Sequence, residues 1–339
     1  MKLSDFNYNL PEELIANHPA CPRDSSRLLV LDKKTGAISH EHFFDFPKHL
    51  TSNDVLVFND TKVFPARLES KKESGGKVEI LLVREKDKYT WHTLLKGRNL
   101  NVGTKLVLPK NVTVEILNKH RDDWLVKFSI GSYELRRLTE RIGIMPTPPY
   151  IKSALHNKDD YQTIYAADDK NMSVAAPTAG FHFTERIFKA LEKKGVQKEF
   201  ITLHVGPGTF LPVRTEDITD HKMHAEYAEA NLATVARLMQ YKKDGKRIIA
   251  VGTTSVRVLE MIGNLRKPED FIDYIDLFIY PPYKFKMVDA LLTNFHLPKS
   301  TLLMLVSALA GKKNIDKAYA AAINKKYRFY SFGDAMFIK

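Results

Sequence analysis

Apolar runs of strand length alternate with amphipathic stretches over two parts of the chain. Residues 55–58 and 247–251 are largely apolar, and a helical pattern follows the second run over residues 255–263. A helix predicted from Thr184 ends at residues 193–195, just before the apolar run 200–204. When the spacing of apolar positions changes from every 2 residues to every 3.6 residues, the pattern indicates a strand followed by a helix. This alternation predicts an α/β fold.

A different pattern covers residues 67–130. Short alternating stretches are broken there by turn residues such as Gly97 and Gly103, and no long helical pattern intervenes. The pattern is typical of a small antiparallel barrel or sandwich. Three prolines among residues 145–150 disfavour both helix and central strand, so we expect the chain to return to the first fold there.

These two patterns predict a mixed domain organisation. We expect a discontinuous α/β main domain formed by residues 1–63 and 151–339. A small antiparallel β-barrel domain is expected to be inserted between them over residues 64–150.

Composition narrows the class of protein. The single cysteine, Cys21, excludes an internal disulfide and any multi-cysteine metal site. No run of eighteen apolar residues occurs and the chain does not start like a secretory signal, so we expect no membrane span and a cytoplasmic location.

The positive charge is concentrated in the middle of the chain. The net charge is +12, and residues 64–152 contain 18 Lys and Arg against 10 Asp and Glu, which gives +8 to this segment. Such an excess predicts a surface that follows a phosphate backbone. An ordinary solvated face is the alternative interpretation.

Several predicted strands are followed by polar residues, and there are more of these than a simple turn requires. Because ligands bind at the carboxyl edge of such sheets, we predict that these junctions line one crevice. The candidate residues are Asn59, Asp60, Thr61, Pro177, Thr178, Gly180, His182, His204, Gly206, Gly208, Thr209, Thr253, Thr254, Ser255, Arg257, Asn294, His296, Lys299 and Ser300.

Two helix starts could bind an anion through free N–H groups, one at Thr184 and one at residues 253–255 beside Arg257. The glycines at 206 and 208 do not form a dinucleotide loop, because Pro207 and Pro212 prevent a helix from opening there.

Three titratable residues, His221, His224 and Glu226, follow soon after these glycines. Their spacing raises the question of zinc, but no His-Glu-x-x-His motif is present and a third ligand with defined spacing is lacking. We therefore expect no metal and favour general acid/base work by a histidine or by Glu226.

Eight motifs that run in order along the chain resemble one family, the S-adenosylmethionine:tRNA ribosyltransferase-isomerases (QueA). They are VLVFNDTK (55–62), AAPTAGFHFT (175–184), LHVG (203–206), GTF (208–210), HKMH (221–224), GTTSVR (252–257), LTNFHLPKS (292–300) and YRFYS (327–331). Small departures at Lys62, Pro207 and Pro282 affect the expected local loop shape rather than the function.

The resemblance implies that S-adenosylmethionine is a co-substrate that donates its ribosyl group, with no metal or second cofactor. The acceptor is 7-aminomethyl-7-deazaguanine at a G-type wobble position of tRNA, and the products are epoxyqueuosine, adenine and methionine. This chemistry needs a base, for which the candidates are His204, His224 and Glu226, followed by His182 and His296. The remaining candidates, with His221, are expected to bind substrate.

Two alternative functions remain at this point. An S-adenosylmethionine-dependent RNA methyltransferase would use the same cofactor, but its Gly-rich loop after the first strand is missing. A non-catalytic RNA-binding protein would explain the basic insert and leave the crevice without a purpose. The chain shows no exposed heptad or apolar stripe, so we expect a monomer.

Overall fold

The computed structural model describes residues 1–120, 123–151, 155, 157–206, 208, 213 and 215–339. These residues fall into two compact units. One contains Met1–Thr61, Pro149–Lys170 and Ala176–Lys339, and the other contains Lys62–Pro148 and Asn171–Ala175.

The strands are numbered along the chain. They are β1 (Arg27–Leu31), β2 (Ile38–His42), β3 (Asp54–Asn59), β4 (Lys62–Val63), β5 (Arg67–Lys72), β6 (Lys77–Glu85), β7 (Thr90–Lys96), β8 (Lys105–Leu108), β9 (Val112–His120), β10 (Asp123–Phe128), β11 (Asn171–Ser173), β12 (Gln197–Leu203), β13 (Glu226–Ala230), β14 (Arg247–Val251), β15 (Phe271–Ile275), β16 (Ala290–Asn294) and β17 (Ala335–Ile338). The α-helices are α1 (Ser132–Ile142), α2 (Glu185–Lys193), α3 (Leu232–Lys243), α4 (Thr253–Ile262), α5 (Thr301–Ala310) and α6 (Lys312–Asn324).

The first unit is built on a nine-stranded sheet within the described residues, in the order β15-β13-β12-β3-β14-β16-β17-β1-β2. The four adjacent strands β12, β3, β14 and β16 run parallel to one another. Strand β13 runs antiparallel to β12, and β17 runs antiparallel to β16. The carboxyl ends of the four parallel strands and the amino ends of β13 and β17 therefore share one edge of the sheet.

The core of this unit packs against both faces of the central strands. All six residues of β3 are buried, as expected for a parallel strand covered on both sides. The aromatic residues Phe46, Phe58, Phe183 and Phe337 belong to one buried cluster with residues of β1, β14 and β16. Strand β14 and the following helix α4 lie where the sequence predicted them, although α4 begins two residues earlier, at Thr253.

The second unit contains a closed six-stranded antiparallel barrel in the order β10-β7-β6-β5-β8-β9. Buried and more exposed residues alternate along β6, and its buried side chains join Trp91 in the barrel core. The predicted fold class, an α/β domain with an inserted small antiparallel barrel, is confirmed.

The second unit also contains elements that the sequence pattern did not predict. Helix α1 follows the barrel strands and buries Leu135 and Leu138 in the barrel core. Strand β11 pairs in parallel with β4, so residues 171–175 belong to this unit although they follow the unit boundary at Pro148. In the part of the chain that the structure describes, no helix has the length and apolar character needed to cross a membrane.

Candidate active site

The predicted polar junctions meet at the shared edge of the sheet. Asn59 ends β3, His204 follows β12, Thr253 follows β14 and Asn294 ends β16. Because these four strands are adjacent in the sheet and parallel, their ends lie side by side. The 3₁₀ turn Thr178–His182 lies against the end of β16 through a hydrogen bond from Thr178 Oγ1 to Asn294 Oδ1 of 3.3 Å.

The first corner of the site joins β3 to β12. Asn59 is fully buried and its amide spans the two strand ends, donating to Leu203 O at 2.9 Å and accepting from Leu203 N at 3.0 Å. The same oxygen accepts from Thr61 N, and Thr61 Oγ1 lies 2.7 Å from His204 Nδ1. The ring of His204 stacks on Tyr227 with a centroid distance of 5.7 Å. Asn59 is thus a structural clamp that positions His204 at the edge.

Asp60 lies beside this corner. Its Oδ1 accepts a hydrogen bond of 2.7 Å from Thr202 Oγ1. Burial raises the pKa of the Asp60 carboxyl, although this hydrogen bond and the charge of Lys170 act in the opposite direction. Lys170 itself forms an ion pair with Glu229, which also accepts from the Tyr227 hydroxyl at 2.9 Å.

Glu226 and Arg257 form a buried ion pair at the same edge, with side chains 6% and 7% exposed. Glu226 also accepts from Gly206 N at 2.8 Å. Arg257 donates to the carbonyl oxygens of Ile275 at 2.7 Å and Leu277 at 3.2 Å. Both predicted site residues therefore position the backbone at this edge of the sheet.

His182 forms the second corner. Its Nδ1 lies 2.7 Å from Ser26 Oγ, and its Nε2 accepts from Asn294 Nδ2 at 3.4 Å. The ring stacks on Phe43 at 5.1 Å between centroids. Burial lowers the pKa of His182 to about 4, so the imidazole is neutral at pH 7.

His296 is held in a similar way below the end of β16. Its Nε2 lies 3.0 Å from Thr293 Oγ1, its backbone N–H donates to Tyr319 Oη at 2.9 Å, and its carbonyl accepts from the Tyr8 hydroxyl. Burial lowers the pKa of His296 to about 3.

The two helix starts differ in whether they already have an acidic partner. At α2 the hydroxyl of Thr184 accepts from Ile187 N and donates to the carboxylate of Asp24 at 2.6 Å, and Arg186 pairs with the same carboxylate. At α4 the N-cap is Gly252, which offers no side-chain acceptor.

The hydroxyls in the first turn of α4 do not replace that missing cap. Ser255 Oγ donates back to Val251 O at 2.8 Å. Thr254 Oγ1 is buried and has no hydrogen-bond partner in the structure, and Thr253 is buried beside it. Of the two starts, the one at α4 retains unused donors.

Residues after β12 carry further candidates. A side chain at Gly208 would lie 2.8 Å from His224 Cδ2, so the glycine permits the close approach of His224. His224 is exposed, and His221 packs edge-on against Phe278 at 5.3 Å. Burial lowers the pKa of His221. Thr209 lies outside the described residues.

The remaining candidates have structural roles. Gly180 donates its N–H to Pro177 O, and a side chain at Gly180 would collide with Tyr165 Oη. Ser300 caps α5 by accepting from Leu303 N at 3.2 Å. Lys299, with φ of 58°, is exposed and donates its backbone N–H to Phe6 O.

Sequence reasoning missed several residues that shape the edge, namely Asp24, Ser26, Lys170, Tyr227 and Glu229. Asp24 and Ser26 are 160 and 156 residues from their partners Thr184 and His182. Tyr227 and Glu229 alternate with Ala228 and Ala230 along the sequence of β13, and this alternation was the available signal. In the ranges that the structure describes, no three His, Cys, Asp or Glu side chains are grouped as metal ligands.

A polar edge of parallel strands with several buried histidines is typical of α/β enzymes, which bind their ligands at the carboxyl edge of the sheet. The model of the family described as "Queuosine biosynthesis protein" matches residues 3–338. The chain therefore belongs to the queuosine biosynthesis protein family, and the resemblance found in its motifs is confirmed.

Individual relatives match over the full length. An S-adenosylmethionine:tRNA ribosyltransferase-isomerase of Sulfurihydrogenibium sp. (strain YO3AOP1) is 50% identical, with 100% of both chains covered. The enzyme of the same name from Thermosipho melanesiensis is 49% identical, again over 100% of both chains. The crystal structure of the S-adenosylmethionine tRNA ribosyltransferase from Thermotoga maritima is similar with a TM-score of 0.58 and 38% identity, covering 99% of this chain and 100% of that one.

Proposed function

We propose that this chain transfers and isomerises the ribosyl moiety of S-adenosylmethionine onto 7-aminomethyl-7-deazaguanine at the wobble position of tRNA. Epoxyqueuosine forms in the RNA, and adenine and methionine are released. The observation that carries this proposal is the full-length match, at 49% and 50% identity, to relatives named S-adenosylmethionine:tRNA ribosyltransferase-isomerase.

The start of α4 is the proposed site for the methionyl carboxylate. The first N–H groups of a helix attract anions, and Gly252 supplies no side-chain acceptor for them. The unpartnered hydroxyl of Thr254 adds a donor at the same place. The start of α2 is a weaker candidate because the Asp24 carboxylate already occupies it. Arg257 does not contact the carboxylate in this assignment, since its guanidinium is ion-paired with Glu226.

The glycines after β12 are the proposed neighbours of adenine. Gly206 N–H is already donated to Glu226, so its carbonyl is the group that it can offer to a base. Gly208 keeps the backbone close to His224. Apolar walls with a few backbone polar groups are typical of such small-molecule slots.

His204 is the proposed base that removes the proton from the carbon next to the sulfonium. It stands at the end of β12, oriented by Thr61 on one side and by the Tyr227 ring on the other. A base works best when its pKa is near the operating pH, and burial moves His182 and His296 well below that. Glu226 is bound to Arg257, which leaves His224 as the second candidate.

The tRNA is the proposed macromolecular partner, bound as a precursor that carries 7-aminomethyl-7-deazaguanine. The basic barrel unit is proposed to contact its phosphates, because the surplus of +8 lies in residues 64–152. We propose that the protein works as a monomer in the cytoplasm, where tRNA is modified. Light scattering of the protein with and without tRNA tests the monomer.

The reaction is tested by incubating the protein with S-adenosylmethionine and an anticodon stem-loop that carries 7-aminomethyl-7-deazaguanine. Adenine and methionine should appear together with a ribosyl-derived gain in the mass of the RNA. A gain of one methyl group would instead show the methyltransferase. RNA binding without any product would show the non-catalytic alternative.

A further inference from the structure

The barrel unit carries two exposed tyrosines, each with a cation over its ring. Tyr133 is 74% exposed and Tyr89 is 40% exposed. The guanidinium carbon of Arg137 lies 6.0 Å from the centroid of Tyr133, and Lys88 Nζ lies 5.2 Å from that of Tyr89. A single exposed ring is ordinary on a protein surface, whereas exposed rings that form a contiguous patch mark an interaction site.

The two tyrosine–cation pairs belong to one surface, because a backbone hydrogen bond connects the segments that carry them. Tyr89 lies in the turn between β6 and β7, and Ser132 N at the start of α1 donates to Lys88 O at 2.7 Å. Ser132 Oγ in turn accepts from Trp91 Nε1 at 3.0 Å. The turn and the helix start are therefore fixed to one another and to the barrel core.

Helix α1 continues this surface through regular spacing. Tyr133, Arg137 and Arg141 are all exposed and follow at intervals of four residues, so they lie on one face of the helix. We call Lys88, Tyr89, Tyr133, Arg137 and Arg141 the tyrosine–arginine surface.

The charges of this surface are available to a partner. Among the described residues, no carboxylate pairs with Arg137 or Arg141, whereas the adjacent Arg136 is held by Glu85 at 3.1 Å. The nearby carboxylates serve the local backbone. Glu134 accepts from Gly131 N at 2.9 Å, and Asp87 accepts from Tyr89 N and from Thr90 N at 3.0 Å.

This chemistry fits unpaired RNA. Bases stack on exposed aromatic rings or guanidinium planes, and cations beside them contact the flanking phosphates. A protein partner would require an apolar centre, whereas this surface alternates rings and positive charges. Charge complementarity with the phosphate backbone selects RNA as the occupant.

We propose that the tyrosine–arginine surface binds unpaired nucleotides of the tRNA substrate. The Tyr133 ring stacks on a base, and Arg137 and Arg141 contact phosphates on either side. This inference rests on the proposed function for the identity of the RNA, and it assigns to α1 a recognition role apart from the reaction at the sheet edge.

The test is fluorescence anisotropy of labelled tRNA with the full-length protein, in the absence of S-adenosylmethionine. Tyr133→Ala is expected to weaken binding about 5- to 150-fold, because base stacking contributes at that level. Tyr133→Phe keeps the ring and should bind as the wild type does. The double variant R137A/R141A should reduce the slope of log K against log salt by about 1.4 to 1.8.

A matched control removes a charge outside the barrel unit. Lys243 is exposed at the end of α3 in the other unit, and Lys243→Ala should leave binding unchanged. Equal binding by Tyr133→Ala and the wild type would overturn the proposal. So would self-association of the wild type that Tyr133→Ala abolishes, since the surface would then be a protein interface.

Failure of this inference is separable from failure of the proposed reaction. If the wild type releases adenine and Tyr133→Ala binds tRNA as tightly, the surface assignment is wrong and the reaction stands. If the wild type releases no adenine but Tyr133→Ala weakens RNA binding, the surface stands and the reaction is wrong.

Discussion

Glu226 and Arg257 pair with one another inside the sheet edge, and through that pair the start of β13 is fastened to helix α4. Arg257 also holds the carbonyls of Ile275 and Leu277, and Glu226 holds the N–H of Gly206. A single buried pair thus fixes the backbone on three sides of the site.

Loss of Arg257 should therefore be costly. Arg257→Met leaves Glu226 buried without its cation, which lowers the free energy of unfolding by about 3–5 kcal/mol. Urea unfolding at pH 7 measures this. Lys312→Met is the matched control, since the Lys312–Asp316 pair is 33% and 58% exposed and should contribute less than about 1 kcal/mol. An equal decrease in the free energy of unfolding of the two variants would show that the buried pair stabilises the fold no more than the exposed pair.

His204 should matter for turnover far more than for folding. His204→Gln is expected to lower kcat for adenine release by about 10²- to 10⁴-fold, the usual contribution of a positioned base. The variant loses the hydrogen bond to Thr61, which costs about 1 kcal/mol of stability. His42→Gln, at an exposed site away from the edge, serves as the control. A fully active His204→Gln enzyme would move the role to His224.

Substitution of Thr254 tests the proposed carboxylate site at α4, because it should weaken binding of S-adenosylmethionine without lowering the stability of the fold. The buried hydroxyl of Thr254 has no partner, so Thr254→Val should leave stability unchanged or raise it by up to about 1 kcal/mol. The KM for S-adenosylmethionine should rise about 10-fold or more, because a hydrogen bond to a charged carboxylate is lost.

The control for this prediction is Thr139→Val in α1. Thr139 Oγ1 donates to Arg136 O at 2.7 Å, so that variant should lose about 1 kcal/mol of stability and keep its KM. An unchanged KM in Thr254→Val would remove the hydroxyl from the substrate site.

The lowered pKa values of His182 and His296 predict a pH dependence of stability. The pKa values of His182 and His296 are lowered to about 4 and about 3, whereas in the unfolded chain both titrate near 6.5. The unfolded state therefore binds more protons below pH 6.5, and stability falls as the pH drops from 6.5 towards 4. Each histidine contributes about 1.4 kcal/mol per pH unit in that window.

Urea unfolding of the wild type and of His296→Asn is compared between pH 6.5 and 4.5. The difference separates the contribution of His296 to the pH dependence of stability from that of the carboxylates. The variant should show a shallower loss of stability. Identical slopes would mean that His296 is not protonated on unfolding in this range.

Salt should weaken tRNA binding steeply if the barrel unit contacts phosphates. For about six such contacts, the affinity falls by about 10³-fold between 50 and 200 mM salt. Anisotropy titrations at several salt concentrations give the slope directly. An affinity that is independent of salt would contradict the electrostatic role given to the basic segment.

Local pattern was sufficient to predict much of the α/β unit. The run 247–251 forms β14, and the helix predicted from Thr184 forms α2 with Thr184 as its N-cap. The sequence also contains the signal for α1. Leu135, Leu138 and Ile142 have helical spacing, and Glu134 in the first turn accepts from Gly131 N at the helix start.

The arrangement of the site was only partly predictable. Parallel strands share their carboxyl edge, so the meeting of Asn59, His204 and Asn294 followed from the α/β pattern. Their partners did not, because Ser26 and Asp24 reach the edge through pairings more than 150 residues apart in the chain. Burial of the ion pair between Glu226 and Arg257 likewise depends on tertiary packing rather than on spacing.

Strand β11 limits how the barrel could be moved between proteins. The chain enters the barrel unit at Lys62, leaves after Pro148, and enters it again for Asn171–Ala175. A transplant of residues 62–148 alone would leave β4 without its parallel neighbour. The barrel unit therefore cannot be exchanged as one continuous segment. A functional chimera must exchange two separate segments of the chain together.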